Sequence, residues 1–246
     1  MKNIEFVPMD RNVLEDVLKS YGLTELLTLS GEQLDRMKQF ADQMLDMNTK
    51  MNLTGIIDSE GVADKHFADS LLLLKYLPIK EDAKVIDVGT GAGFPALPCM
   101  LARPDLKFTL LDGLQKRITF LQSVCDSLKI KAEALHGRAE EIARKAEYRE
   151  QYDVATARAV ADLRILCEYC LPLVKVGGYF IAMKGDGEKE LDGAMKAIEK
   201  LGGEFVENIQ FTLPDTSKRS LIICKKVKST PSTYPRNGGK INKSPL

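Results

Sequence analysis

The sequence predicts an α/β fold: a mostly parallel seven-stranded sheet closed by an antiparallel hairpin strand and preceded by a helical segment. Three observations carry that prediction. From residue 82 onward, short β-branched runs alternate with helical patterns, the grammar of a parallel sheet with helices on both faces. VIDVGTGAGFP (85–95) sets a strand, a glycine turn and a helix start in succession, which is how a nucleotide-type site is built. Finally, EFVENIQFTL and SLIICKKV are joined by the turn-like PDTSKR with no helix between them, so they form a hairpin.

Residues 1–80 read as a helical segment. In RNVLEDVLKSYGL the apolar positions Val13, Leu14, Val17 and Leu18 share one helix face, and Gly22 is a natural stop. Ser30-Gly-Glu-Gln33 has capping-box spacing and starts a second helix. Its stripe Leu34, Met37, Phe40, Ala41, Met44 and Leu45 reads as core. NLTGI (52–56) makes a turn, and HFADSLLLLKYL (66–77) is a third helix, ended by Pro78.

Residues 81–228 hold the sheet. Strands are expected at 83–88, 107–112, 131–136, 152–156 and 178–183, with helices beginning near 95, 114, 139, 160 and 188. Residues 229–246, STPSTYPRNGGKINKSPL, form a basic tail with little core, either solvated or laid on an anionic partner.

Composition narrows the function classes. Thirty-five basic and 35 acidic residues cancel, so any nucleic-acid site must be a local patch. No run approaches the ~18 apolar residues of a membrane span, and MKNIEFVPMDRNVLEDVL lacks the apolar stretch of a secretory signal. Five scattered cysteines suit a reducing, cytoplasmic setting. Cys167 and Cys170 have CxxC spacing, but no second pair exists and His66 and His136 are distant. Lying in an apolar stretch of helical spacing, they are expected to pack as small hydrophobes, with no metal.

The glycine loop is informative for what it lacks. Dinucleotide spacing would place glycine at 94, where Phe94 stands, and Pro95 offers no amide at the helix start. That favours a ligand without phosphate, and S-adenosylmethionine (SAM) fits. Gly89, Gly91 and Gly93 let the backbone approach such a ligand. Asp112, ending the next strand, is placed to bind ribose hydroxyls. Asp87 could hold the loop amides or face an amine of the cofactor. Five βα units closed by a hairpin match the Rossmann-like SAM methyltransferase sheet, whereas a dinucleotide fold more often keeps all its strands parallel.

Methyl transfer is in-line displacement, so the acceptor decides which side chains are needed. Attack through C5 of a pyrimidine requires a cysteine nucleophile past strand four or five. The Pro98-Cys99 pair instead follows the glycine loop. Transfer to an exocyclic amine commonly uses Asn or Asp followed by two prolines and an aromatic, and here Asp153-Val-Ala-Thr-Ala-Arg-Ala stands there. A ring nitrogen with its own lone pair needs no base, only a pocket, and is consistent with the absence of an acid–base pair.

DVGTGAGFP, LLDGLQKRITFL, GRAEEI, TARAVADL and MKG occur in order, after NLTGI and HFADSL and before YPRNGGKINKSPL. From about residue 48 onward the chain thereby resembles the bacterial ribosomal RNA small-subunit methyltransferase G family, also called glucose-inhibited division protein B. The resemblance implies SAM-dependent methylation of guanine N7 in the 530 loop of 16S ribosomal RNA, free or in a 30S precursor. It also implies that Gly89 and Phe94 contact SAM, that Ala139 and Glu140 flank its adenine, and that Arg158 lies at the cofactor or reaction side. Gly113, after Asp112, departs from the small polar residue expected there.

Arg158 and Lys184 follow strands four and five, the active edge of such sheets, and are the residues expected to position the reaction. His66 is either satisfied locally or at the target, and Asn52 either shapes its turn or reaches the target pocket. RNA contacts are expected from Lys116, Arg117, Lys218, Arg219 and Arg236. A monomer is expected. The alternatives are a methyltransferase with a protein or small-molecule acceptor and a non-catalytic RNA-binding assembly factor, with a dehydrogenase a distant third.

Overall fold

The computed structural model describes residues 6–158 and 161–246. Helix α1 (Arg11–Ser20) starts at Asp10, whose carboxylate accepts the amides of Asn12 and Val13. It stops before Gly22, which takes φ 67° and leads into the short α2 (Leu23–Leu26). The capping box at Ser30 forms as spelled out, with Ser30 and Gln33 each accepting the other's amide, and α3 runs Gly31–Asn48. The third helix is longer than its apolar stripe. From Asp58, α4 (Ser59–Val62), a π-helical turn (Ala63–Ala68) and α5 (Asp69–Tyr76) follow without a break. The polar residues Asp64 and Lys65 hide its first turns from a periodicity reading.

The sheet strands are β1 (Lys84–Val88), β2 (Lys107–Asp112), β3 (Glu133–His136), β4 (Tyr152–Arg158) and β5 (Val174–Lys184). Between them lie α6 (Ala96–Ala102), α7 (Gln115–Ser127), α8 (Ala139–Ile142) and α9 (Leu163–Cys170), with α10 (Glu188–Lys200) after β5. The start expected near 160 shifts to Leu163, since Asp162 supplies the cap; Ala159 and Val160 lie outside the described residues. The hairpin is β6 (Gly203–Thr212) and β7 (Lys218–Lys226).

The strand order is β3-β2-β1-β4-β5-β7-β6, parallel through β5, with β7 antiparallel to both its neighbours. The antiparallel strand therefore lies one place in from the edge. Leu221 to Cys224 on β7 are buried on both faces, whereas β6 alternates and exposes Glu204 and Glu207, as an edge strand should. The strand order reverses at β1 and β4, so their carboxyl ends open a crevice.

Alternating strand residues feed two cores. Val85, Leu110 and Val154 pack with α6, α7 and the helical segment; Ile86, Leu111 and Ala155 pack with α9 and α10. Asp87 therefore faces the helical segment. All five cysteines are buried and unbridged, Cys167 and Cys170 in the second core. No helix among the described residues is long and apolar enough to cross a membrane.

The tail differs from its expectation. Residues 230–246 fold back onto α8 and α9, and the last six-residue helix, α11 (Gly238–Lys243), buries Ile241 completely. Arg149 donates to the carbonyls of Thr230, Pro231 and Tyr234. Lys226, fully buried, donates to the Leu171 carbonyl and the Thr230 hydroxyl. Arg236, expected to contact RNA, closes its guanidinium and backbone amide on Glu168, which has no exposed surface. Composition left a solvated tail and an arm on an anionic partner as the two readings because the anchors are polar, and their partners are distant in sequence.

Glu168→Ala strands the Arg236 guanidinium in the tail and is expected to cost about 3 kcal/mol in urea unfolding. Glu141→Ala, on the exposed side of α8, is expected to change stability by less than about 0.5 kcal/mol.

Candidate functional site

The glycine loop bends at φ 73°, 61° and 102° for Gly89, Gly91 and Gly93. At Gly93 a Cβ would also meet the side chains of Leu97 and Leu121 within 3.0 Å, so both conformation and space demand glycine. The amides of Gly89 and Thr90 donate to the Leu111 carbonyl, and that of Gly91 to Asp112 Oδ2 at 3.0 Å. Asp112 also accepts the Leu114 amide on Oδ1, and Arg117 approaches Oδ2 at 3.3 Å. A carboxylate offers about four acceptor positions, so room for a hydroxyl remains after these three. Beside the loop runs a groove lined by Gly89, Leu111, Asp112, Ala139, Glu140 and Tyr169.

At the switch point sit buried polar atoms with no hydrogen bond of good geometry among the described residues: both carboxylate oxygens of Asp87, whose nearest donors are the Thr90 hydroxyl and the Ala96 amide, and the hydroxyls of Thr90 and Thr156. Asp87 on β1 and Thr156 on β4 are paired in register. Burial pushes the Asp87 carboxyl up to about 7. Unpaired polar groups in such a place are costly, and a cationic ligand would relieve them. Together with the groove and Asp112, they suit a cofactor of adenosine attached to a cationic amino-acid tail.

On the far side of β4 lies a separate cavity of about 370 Å³, lined by Lys65, His66, Asp69, Arg158, Lys184 and Arg219 among others. Asp69, at the start of α5, is 5% exposed and meets Arg158 at 3.4 Å and Arg219 at 3.3 Å. Burial pushes its carboxyl above the ordinary range, against the pull of the two guanidiniums. Arg158 also donates to the Lys65 carbonyl at 3.0 Å and lies 5.2 Å over the Phe94 ring. Lys184 Nζ is held by the Ala161 carbonyl at 2.7 Å and by Glu190 at 3.0 Å.

His66 is engaged by the protein at both nitrogens. Nδ1 lies 3.2 Å from the Lys65 carbonyl, so Nε2 accepts from the Thr54 hydroxyl at 2.8 Å. Burial, then the Arg158 charge, lowers its pKa to about 4. Thr54 Oγ1 in turn accepts the Ile56 amide, and Asn48 ties both sides of the turn through the Leu53 and Thr54 amides and the Thr54 carbonyl.

The groove brings together Gly89, Asp112, Ala139 and Glu140, next to Gly91 and Gly93 in the loop, while Asp87 lies outside its lining on the face of β1 toward the helical segment. Phe94 is elsewhere. It is 3% exposed and packs on Phe40, Phe67 and His66, beneath the Arg158 guanidinium, and it lines neither the groove nor the second cavity. Arg158 belongs to the second cavity, with Lys184, His66 and Arg219. Asn52 is exposed and lines neither; Asn48 shapes the turn. Lys116 is exposed on the first turn of α7, Arg117 pairs with Asp112, and Lys218 lines a small recess with Asp186. Sequence reasoning missed Asp69, Lys65, Thr156 and Tyr169. Asp69 could have been found, three residues past His66 and thus on the same helix face; Thr156 and Tyr169 carried no signal.

A sequence model described as rRNA small subunit methyltransferase G matches residues 33–221. A protein named ribosomal RNA small subunit methyltransferase G from Alkaliphilus oremlandii is 47% identical over 95% of this chain and 99% of its own. Its namesake from Halalkalibacterium halodurans is 50% identical over 89% of this chain and 93% of its own. Solved structures share the fold at lower identity. The geranyl diphosphate C-methyltransferase from Streptomyces coelicolor, solved with S-adenosyl-L-homocysteine, aligns with TM-score 0.53 at 12% identity over 65% of this chain and 79% of that one. The P. horikoshii TYW2 complex with MeSAdo gives 0.52 at 14%, covering 65% and 62%.

The His66 shift has a definite sign. Its folded pKa, about 4, lies below the ordinary 6.5, so between those values the unfolded chain binds the extra proton. Stability is therefore complete above pH 6.5 and falls as pH drops toward 4, by up to about 3 kcal/mol. Urea unfolding of the wild type and His66→Gln across this window checks it: the difference between the two curves should shrink by that amount as pH falls.

Proposed function

The chain belongs to the rRNA small subunit methyltransferase G family, and we propose that it transfers the SAM methyl group to N7 of a guanine in the 530 loop of 16S ribosomal RNA. One observation supports this reading above others: the glycine loop that follows the buried Asp87 borders a groove with Asp112 and Glu140, and the same end of the sheet carries a cavity of about 370 Å³, room enough for a single base. Enzymes that act on a base extrude it from its stack, and the cavity is where it would go.

SAM, when bound, supplies an electrophilic methyl carbon on a positive sulfur. Guanine N7 brings its own lone pair, so the N7–carbon bond forms as the carbon–sulfur bond breaks and no proton need leave. The chain's task is positioning, water exclusion and charge. In the groove, Asp112 and Glu140 would hold the nucleoside against Leu111, Ala139 and Tyr169. In the cavity, Arg158 and Arg219 would hold the base, with Asp69 offsetting their charge and that of the product. His66 stays neutral near pH 7 and adds no repelling charge beside the cationic purine. Lys184 would act through position, fixing the chain after β4.

RNA phosphates would meet the exposed lysines Lys116, Lys218, Lys240 and Lys243. On a neutral protein such contacts give salt-sensitive, modest affinity, which suits a folded loop in a 30S precursor more than free strand. A cytoplasmic monomer is the matching setting.

Labelled SAM, offered with 30S particles and naked 16S rRNA lacking the modification, tests the proposal. Borohydride and aniline should cleave the product at one new position in the 530 loop. No incorporation by a protein that binds SAM would refute it. In the same assay Arg158→Ala is expected to lower kcat about a hundredfold, with the SAM Kd changed less than twofold; a large change in Kd instead would move Arg158 to the cofactor.

A further inference from the structure

The C-terminal strap and the groove share a wall. Glu140, which lines the groove, lies so close to Gly238 at the start of α11 that a Cβ there would come within 2.1 Å of Glu140 Oε1. The neighbouring Gly239 is different: its Cβ would meet nothing nearer than Asn237 Oδ1 at 3.6 Å. Tyr169, across the groove, has the Asn242 side chain of α11 approaching its hydroxyl. Both groove residues thus touch the strap on their outer sides, and the strap is fastened at Arg236 by the fully buried Glu168.

We propose that the strap is a positioning element for the nucleoside end of the cofactor: Gly238 leaves the space in which Glu140 takes its binding rotamer, and Asn242 steadies Tyr169. This rests on the groove being the SAM site. A long flexible carboxylate at the edge of a groove, half-buried as Glu140 is, still has several rotamers, and fixing one in advance lowers the entropy lost on binding. The obstacle a methyl group would create at Gly238 is the far end of the Glu140 side chain, with no backbone atom in the way. A substitution there displaces Glu140 and leaves the fold alone, which separates positioning from stability.

Titration calorimetry of the full chain with SAM, paired with thermal melts, tests this. Gly238→Ala is expected to bind SAM about tenfold more weakly at an unchanged Tm, while Gly239→Ala keeps both at wild-type values. In a Glu140→Ala background, Gly238→Ala should have no further effect on Kd, since no carboxylate remains to displace; a strap with only a structural role would show the same effect in both backgrounds. Should Gly238→Ala fold poorly, Asn242→Ala, an exposed change, should still weaken SAM severalfold at full Tm. Wild-type affinity in both folded variants would overturn the strap proposal while leaving the groove intact. A wild-type protein that binds no SAM would overturn both.

Discussion

A carboxylate shut between two guanidiniums holds the second cavity together. Asp69 comes from the helical segment, Arg158 from the end of β4 and Arg219 from the start of β7, so one buried cluster joins three stretches distant in sequence. Removing charges from water is expensive, and such a cluster adds little net stability compared with apolar packing. What it does supply is position: Asp69 can satisfy both arginines only when the helical segment sits in one place over the sheet edge. Phe94 serves the same end from the apolar side, filling the space among Phe40, Phe67 and His66 under the Arg158 guanidinium.

The glycine loop therefore works on both sites at once. Its backbone is tied to β2 through Leu111 and Asp112 and borders the groove, while the Phe94 side chain packs against His66 and Arg158, which line the cavity. A phenylalanine where a dinucleotide fold would want glycine is thus more than a mark against pyrophosphate. It couples the loop to the helical segment, and the groove cannot shift relative to the cavity without disturbing that aromatic cluster.

Legibility followed the range of the interaction. Local chemistry was plain: the Ser30 capping box, the Gly22 stop and the strand ends at Val88 and Asp112 are decided by neighbours within a few residues. Periodicity gave the sheet and both cores, because alternate residues of each strand choose a face. It failed where polar residues were satisfied at long range. Asp64 bonds the Tyr21 hydroxyl and Lys65 bonds Asp215, so the first turns of the third helix looked like loop. In the site, residue types that announce a cofactor were visible, and Asp112 and Glu140 both line the groove. The side on which Arg158 and Phe94 lie was not visible, since it depends on strand pairing and the packing of the helical segment.

The tail carries the same lesson further. Its prolines, glycines and lysines are those of a solvated chain, and apolar burial alone, from Ile241 and the partly covered Tyr234 and Leu246, would hold it loosely. Loosely held apolar contacts permit sliding by a residue or two. A guanidinium and a backbone amide closing together on one carboxylate do not, and Arg236 on Glu168 sets the register of everything after it. Two residues later comes Gly238, with no side chain where Glu140 needs the room. A buried ion pair that is a poor way to gain stability is a good way to fix which glycine faces the groove.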